Sequence, residues 1–300
     1  MKYDIIIPTW NSMPEFEKCL ESITKYIPKE NRGDIIVVDR YSADGTTETA
    51  EKYGCKILYD DVSLGSARMK GIKEAKTEWI IFIDSDIELF PSWFTLMMKW
   101  KEKLQSSDKK VGWIFGRPID DHPKLMKLRL YEAVTKKGFP GGFSDGKPNK
   151  IEKGQRAFTH NTLCLREPLL HADEKVYNLS SWEDYLLVQT ILKDGYSAYE
   201  VPVFCWHHIS STVRKLGHYK GGWSRYGAKQ LGIDMKPDIW MIKKGIQYTL
   251  LFCDVWYLSF FLKSFTSSLK EVDIKRFETS NLFRYNQMGL RKGGESPCVE

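Results

Sequence analysis

The chain has 300 residues, 42% hydrophobic and 28% charged, and a formal net charge of +6. That length and balance give a globular protein with a sizeable core and exclude disorder along most of the chain. The 45 basic residues are interspersed with 39 acidic ones, and without a long basic run nothing points to a nucleic-acid partner.

A mild basic excess suits phosphorylated ligands or an anionic membrane surface. The aromatic share of 13%, with 10 Trp, fits large binding surfaces or an interface with lipid. The 6 cysteines are scattered and form no C-x-x-C pair, which argues against a structural zinc site and a disulfide framework. The first residues lead straight into an apolar run without a signal-peptide pattern. A cytoplasmic location is expected, including a peripheral position on the cytoplasmic face of the membrane.

The first third of the chain alternates strands and helices. Residues 3–8 (YDIIIP) read as a strand buried on both faces, because the apolar run is continuous. Residues 15–26 carry Phe16, Leu20, Ile23 and Tyr26 at helical spacing. Residues 34–38 form a second buried strand, 46–53 a helix, 55–59 a third strand and 65–76 a helix. Residues 79–83 (WIIFI) form a fourth strand that stops at Asp84-Ser85-Asp86. This spacing predicts a mostly parallel sheet flanked by helices, with right-handed crossovers. Ligands of such sheets bind beyond the carboxyl ends of the strands, so Thr9 to Asn11, Asp39 and Asp84 to Asp86 are expected around one crevice.

Further on, 94–104 reads as a helix, 111–116 as a strand, 138–148 as a glycine- and proline-rich loop, 180–194 as a helix and 197–204 as a strand. Residues 239–262 are the most apolar aromatic stretch. Lys243, Lys244, Gln247 and Asp254 interrupt it, so the expectation is a helix at a membrane surface or packed on the body rather than a span. A buried helix hairpin accounts for the same residues.

Two carboxylates at i and i+2 on a strand point to one face, so Asp84 and Asp86 are candidates to share one hard cation with ligand phosphates. A solvated turn uses the same residue types. Ser180-x-x-Glu183 has the form of a capping box, and Ser181-x-x-Asp184 nearly so. That makes Glu183 the better candidate for the cap and leaves the Asp184 carboxylate without a capping role. Trp182, beside the acidic pair, offers a ring for stacking on a ligand or for the core. Adjacent histidines on a strand point to opposite sides. His207 and His208 should therefore face opposite ways. Lys215, Lys220 and Arg225 form a basic, glycine-interleaved segment.

Several of these motifs, in order, resemble family 2 of the glycosyltransferases, of the nucleotide-diphospho-sugar transferase superfamily with the GT-A fold. Ile6-Ile7-Pro8-Thr9-Trp10-Asn11 is similar to the family's opening strand, with Trp10 where Tyr is usual. The run from Val37 to Thr46 is similar to its second strand and turn, except that Arg40-Tyr41 replaces an acidic and a small residue. Gly65-Ser66-Ala67-Arg68-Met69-Lys70-Gly71 matches its G-x-A-R-N-x-G helix start, with Met69 in place of Asn. The resemblance covers residues 1–104 best. It implies an α/β GT-A fold and transfer, mostly inverting, from a UDP- or GDP-sugar to a hydroxyl acceptor, as in lipid-linked or surface glycans.

By the same resemblance Pro8, Thr9 and Asn11 border the nucleotide, and Asp39 accepts from the base. Arg68 lies by the diphosphate or the metal carboxylates. Asp84 and Ser85 meet the donor. Asp86, with Asp84 and His208 (or His207), binds Mn2+ or Mg2+. Asp184 is the base. The implied division is a glycosyltransferase domain at 1–235, with a donor half at 1–104 and an acceptor half at 105–235, and a helical segment at 236–300 that contacts the membrane peripherally through 239–262. A sugar nucleotidyltransferase is the nearest enzymatic alternative. It calls for a glycine-rich basic loop after the first strand, where this chain has Thr9-Trp10-Asn11-Ser12. A catalytically inactive glycan-binding or scaffold relative is the other.

Overall fold

The computed structural model describes residues 1–135, 147–208, 227–233 and 239–269. The basic segment at Lys215, Lys220 and Arg225, most of the 138–148 loop and the tail after residue 292 lie outside the described residues.

Strands β1 (Tyr3–Thr9), β2 (Arg32–Asp39), β3 (Lys56–Tyr59) and β4 (Trp79–Ile83) run parallel in the order β3-β2-β1-β4. Ile5 and Ile7 enter one core with Phe16, Cys19, Leu20 and Ile23 of helix α1 (Glu15–Tyr26). Ile6 enters the opposite core with Met69 and Ile72 of helix α3 (Leu64–Glu74). Burial on both faces is why β1, β2 and β4 read as apolar runs, while the edge strand β3 is partly exposed. Helix α2 (Thr46–Lys52) connects β2 to β3.

The two glycines of the Gly65–Gly71 motif bring α3 close to its neighbours. A Cβ on Gly71 would stand 2.4 Å from Ile6 Cγ2, and one on Gly65 would stand 2.0 Å from the Val176 carbonyl oxygen. Both approaches need a residue without a side chain. Ser63 caps the helix, accepting from the Ser66 amide at 3.0 Å.

The second half extends the sheet past β4 as β8 (Asn161–Leu165), β6 (Val111–Asp120), β9 (Ser197–His207) and β5 (Ile87–Leu89), with β7 (Asn149–Ile151) also on β9. Strand β8 is antiparallel to both β4 and β6, while β6 and β9 are parallel. The parallel expectation therefore describes the first four strands, and the added part is mixed. Helices α4 (Trp93–Ser107) and α6 (Glu183–Lys193) cover opposite faces. Strands β6 and β9 run past the expected ends at 116 and 204, and the extra length carries Asp120 and His207 to the crevice side.

Helix α5 (Pro123–Thr135) was not expected. It starts on proline, and Leu125 and Leu128 at i, i+3 give its buried stripe. They pack on Tyr248 and Tyr257 of a hairpin made by α7 (Trp240–Phe252) and α8 (Trp256–Leu269). The turn sits at Cys253, with φ of 50°. The Tyr257 hydroxyl donates to the Lys124 carbonyl at 3.0 Å, and Lys124 pairs with Asp254 at 2.5 Å. None of the described helices is long and apolar enough to cross a membrane.

Candidate active site

A cleft of about 290 Å³ opens at the carboxyl ends of β1, β2 and β4, where the open-sheet rule places a ligand. Pro8, Thr9 and Trp10 line one side of it, and Val38 and Arg40 the adjacent side. The loops after β1 and β2 are laced together by side-chain hydrogen bonds. The Asn11 amide donates to Ser42 Oγ at 2.7 Å, the Ala43 amide to Asn11 Oδ1 at 2.8 Å, and the Met13 amide to Asp44 Oδ2 at 2.9 Å. Asn11 takes a φ of 45° to do so, a conformation asparagine tolerates.

Asp39 is fully buried. Its carboxylate accepts from Thr9 Oγ1 at 2.7 Å, from Ser42 Oγ at 2.5 Å and from the Ser42 amide at 2.7 Å. Burial raises its pKa, against those hydrogen bonds. Asn11 and Asp39 thus form the back of the wall, and neither lines the cleft. Arg40 does line it and lies over the Trp10 ring at 4.4 Å.

Asp84, Ser85 and Asp86 all line the cleft. They form a tight turn between β4 and β5, in which the Ile87 amide donates to the Asp84 carbonyl at 3.0 Å. The same-face rule for an extended strand does not hold in a turn, and the two carboxylates have separate partners. Asp84 Oδ1 accepts from Arg68 NH2 at 2.7 Å. Asp86 Oδ2 is 3.3 Å from His207 Nε2.

Arg68 is 1% exposed and bridges two elements, since its Nε also donates to Glu183 Oε1 at 3.3 Å. Glu183 is 4% exposed. Its pKa is pushed up to about 7, by burial first and then by Asp184, against the pull of Arg68 and Arg156. The α3 arginine thus joins the Asp84–Asp86 turn to the acidic pair of the second half.

His207 is the histidine that faces the turn. Its Nδ1 is 2.9 Å from Asp120 Oδ1. Burial opposes its cation, but Asp86 and Asp120 on either side outweigh burial and push its pKa up to about 10. His208 points the other way, with Nε2 2.8 Å from Glu88 and Nδ1 2.9 Å from Asp121. Of the two expected candidates, His207 is the one beside Asp86, and His208 is directed to Glu88 and Asp121. The strand alternation is as expected, but sequence alone did not fix its phase. His160 lies across from Asp84, next to β8, and the Asp84 amide donates to its carbonyl at 3.2 Å. Burial, with His207 next, pushes the His160 pKa down to about 3, so its ring is neutral.

The expected capping box does not form. Trp182 is the N-cap residue of α6, in the left-handed region at φ 69°, with no side-chain cap bond. Glu183 turns inward to Arg68 instead. Ser180 and Ser181 line the cleft. Asp184 is 5% exposed, and both its oxygens accept from Arg156 Nε, at 2.8 and 3.1 Å. The Arg156 guanidinium lies over the rings of Phe158 at 5.6 Å and Trp182 at 5.1 Å. His160 stacks on Phe158 at 5.2 Å. Sequence reasoning missed Arg156, His160 and Asp120. The Asp120-Asp121 pair near the end of an apolar strand was a usable signal, whereas Arg156 in a polar loop had none.

The model of glycosyl transferase family 2 matches residues 4–169. The chain is 32% identical over 198 residues to the poly(ribitol-phosphate) beta-N-acetylglucosaminyltransferase TarS of Staphylococcus aureus, covering 62% of this chain and 31% of that protein. It is 36% identical over 195 residues to a poly(ribitol-phosphate) beta-glucosyltransferase of Bacillus spizizenii, covering 61% and 30%. The chain thus spans about a third of the length of these relatives. Among solved structures, residues 1–349 of S. aureus TarS in complex with UDP-GlcNAc superpose with a TM-score of 0.53 at 19% identity, covering 79% of this chain and 68% of that one. The mannosyltransferase PcManGT of Pyrobaculum calidifontis, in complex with GDP-Man and Mn2+, superposes with a TM-score of 0.56 at 16% identity, covering 97% and 81%. These likenesses establish the GT-A fold. With the family model spanning more than half of its residues, the chain belongs to glycosyl transferase family 2.

Proposed function

We propose that the protein transfers a sugar from a nucleoside diphosphate sugar, UDP- or GDP-linked, to a hydroxyl acceptor, with inversion and with a divalent metal. The observation that carries this function is the cleft at the strand ends with the Asp84–Asp86 turn in its wall. The named glycosyltransferase relatives, and the UDP-GlcNAc and GDP-Man bound by the structural neighbours, support the donor class.

Pro8 and Thr9 border the nucleotide directly. Asn11 and Asp39 act from behind, by fixing the loops that shape its wall. Asp84 and Ser85 face the diphosphate, with Arg68 holding the Asp84 carboxylate.

A metal fits the residues present. Among the described residues no group of three or more His, Cys, Asp and Glu side chains is already gathered around one point. However, Asp86 and His207 are neighbours, and Asp120 on the far ring nitrogen is the carboxylate–histidine support common to metal-binding imidazoles. Asp86, His207 and Asp84 would hold Mn2+ or Mg2+, which suits a mixed oxygen and imidazole donor set. The ion supplies charge neutralisation for the departing diphosphate.

Asp184 takes the proton of the acceptor hydroxyl as its oxygen bonds to the anomeric carbon and the nucleoside diphosphate leaves. Trp182 borders the acceptor, while Glu183 positions Arg68. The acceptor belongs to the glycan or lipid-linked class. Exposed Leu250, Leu251 and Val255 at the turn of the α7–α8 hairpin support peripheral contact with the cytoplasmic face of a membrane through 239–262. The division into 1–235 and 236–300 belongs to the same proposal, and the hairpin docked on α5 supports it.

Product analysis with UDP- and GDP-sugars tests the proposal. Release of nucleoside diphosphate is expected, with Asp184→Asn slowing transfer by ~10²–10⁴-fold. Release of pyrophosphate, or unchanged turnover in Asp86→Ala, would contradict it.

A further inference from the structure

The cation that holds Asp184 has most of its hydrogen-bonding capacity to spare. A guanidinium that serves only to fix a carboxylate commonly presents two parallel N–H groups to it. Arg156 instead uses the single Nε–H, shared between the two oxygens at 2.8 and 3.1 Å. Its four terminal N–H groups make no hydrogen bond among the described residues. The side chain is 30% exposed, so solvent reaches part of it. The rings of Phe158 and Trp182 fix the plane of the fork. Phe158 is itself 37% exposed, and its ring also meets those of His160, at 5.2 Å, and Phe115, at 6.1 Å. Arg156 is therefore a cationic fork against two aromatic rings, with its Nε on Asp184 and its terminal N–H groups not engaged by the described residues.

The local charges point to what those groups take. Asp184 and Glu183 are two acidic residues side by side. Arg68 is committed to Asp84 and Glu183. An acceptor bearing negative charge would be repelled here without a further cation. Guanidinium N–H pairs match phosphate oxygens in spacing and charge.

We propose that the free edge of Arg156 binds a phosphate ester on the acceptor, close to the hydroxyl that Asp184 deprotonates. The acceptor is then a phosphate-bearing polyol, sugar or lipid. This inference rests on the acceptor site of the proposed function and names its substrate class. Arg156 contacts substrate through its terminal nitrogens and positions the base through Nε.

Ligand-observed NMR tests it with glycerol 1-phosphate and glycerol, on protein saturated with UDP or GDP and Mg2+. Glycerol 1-phosphate is expected to bind at least ~10-fold tighter than glycerol, the scale of a charge-assisted hydrogen-bond pair. Arg156→Gln should abolish the preference and leave glycerol unaffected. Arg156→Lys, which keeps the charge and loses the fork, should retain part of it and serves if Arg156→Gln does not fold. Equal binding of the two probes, including no binding of either, overturns the inference, as does a preference that survives Arg156→Gln. Failure to bind either nucleotide is a different result, which removes the donor site and the proposed function with it. A second arm uses vesicles of phosphatidylglycerol against phosphatidylcholine. Arg156-dependent sedimentation with the former assigns the phosphate to a lipid, and its absence beside a positive first arm assigns it to a soluble acceptor.

Discussion

Glu183 makes the stability of this protein depend on pH in a direction that one substitution exposes. The carboxyl lies 3.3 Å from Arg68, 4% exposed, and its pKa is raised from the ordinary 4.5 to about 7. A raised native pKa means that the folded state holds the proton more tightly than the unfolded state does. The resulting stabilisation is present in full below about pH 4.5 and is lost as pH rises through about 7. At ~1.4 kcal/mol for each pH unit, a rise from 4.5 to about 7 amounts to ~3 kcal/mol.

Glu183→Gln keeps the shape and an acceptor for Arg68, whose charge remains paired with Asp84 at 2.7 Å, and removes the titration. The difference in unfolding free energy between the variant and wild type should therefore shift by ~3 kcal/mol in favour of the variant between about pH 5 and about pH 8. Urea unfolding followed by tryptophan fluorescence at both pH values measures it, and groups elsewhere cancel in the difference. Parallel stability curves for the two proteins would refute the reasoning, because Glu183 would then have an ordinary pKa.

His207 retains its proton up to about pH 10 between Asp86 and Asp120, so metal binding at about pH 8 should release close to one proton. Calorimetry in buffers of different ionisation enthalpy reads that number, which His207→Gln should bring to zero. Gly65→Ala places a Cβ 2.0 Å from a backbone oxygen. It should destabilise by ~2 kcal/mol in urea unfolding despite the better helix propensity of alanine, and wild-type stability would contradict the close packing of α3. Leu250→Asp with Val255→Asp should abolish sedimentation with anionic vesicles and leave nucleotide affinity unchanged. Vesicle binding that persists in the variant would place the contact elsewhere.

The donor half was legible because its signals are local. The apolar runs of β1, β2 and β4, each ended by a polar turn, dictate parallel strands buried on both faces, and the Gly65–Gly71 spacing marks a helix that must come close. The second half depends on partners remote in sequence. Strands β5 and β7 have three residues each, and only pairing with β9 makes them strands. The turn at Asp84–Asp86 replaced an extended end because β5 must start at Ile87 to reach β9. The phase that selects His207 over His208 is likewise set by the β5–β9 and β6–β9 registers. The capping-box pattern at Ser180 to Asp184 misled because a buried arginine, 115 residues earlier in the chain, claims Glu183. Arg156 carries no local signal at all, since its role exists only once the 152–160 segment lies against α6.

The most direct test of the central claim is calorimetric titration of the protein with UDP, GDP and their sugars, with and without Mn2+. Tight binding of one nucleoside diphosphate that requires the metal and is lost in Asp86→Ala is the expected result. No binding of any of these ligands in the presence of Mn2+ would contradict the account and leave the cleft without the proposed donor.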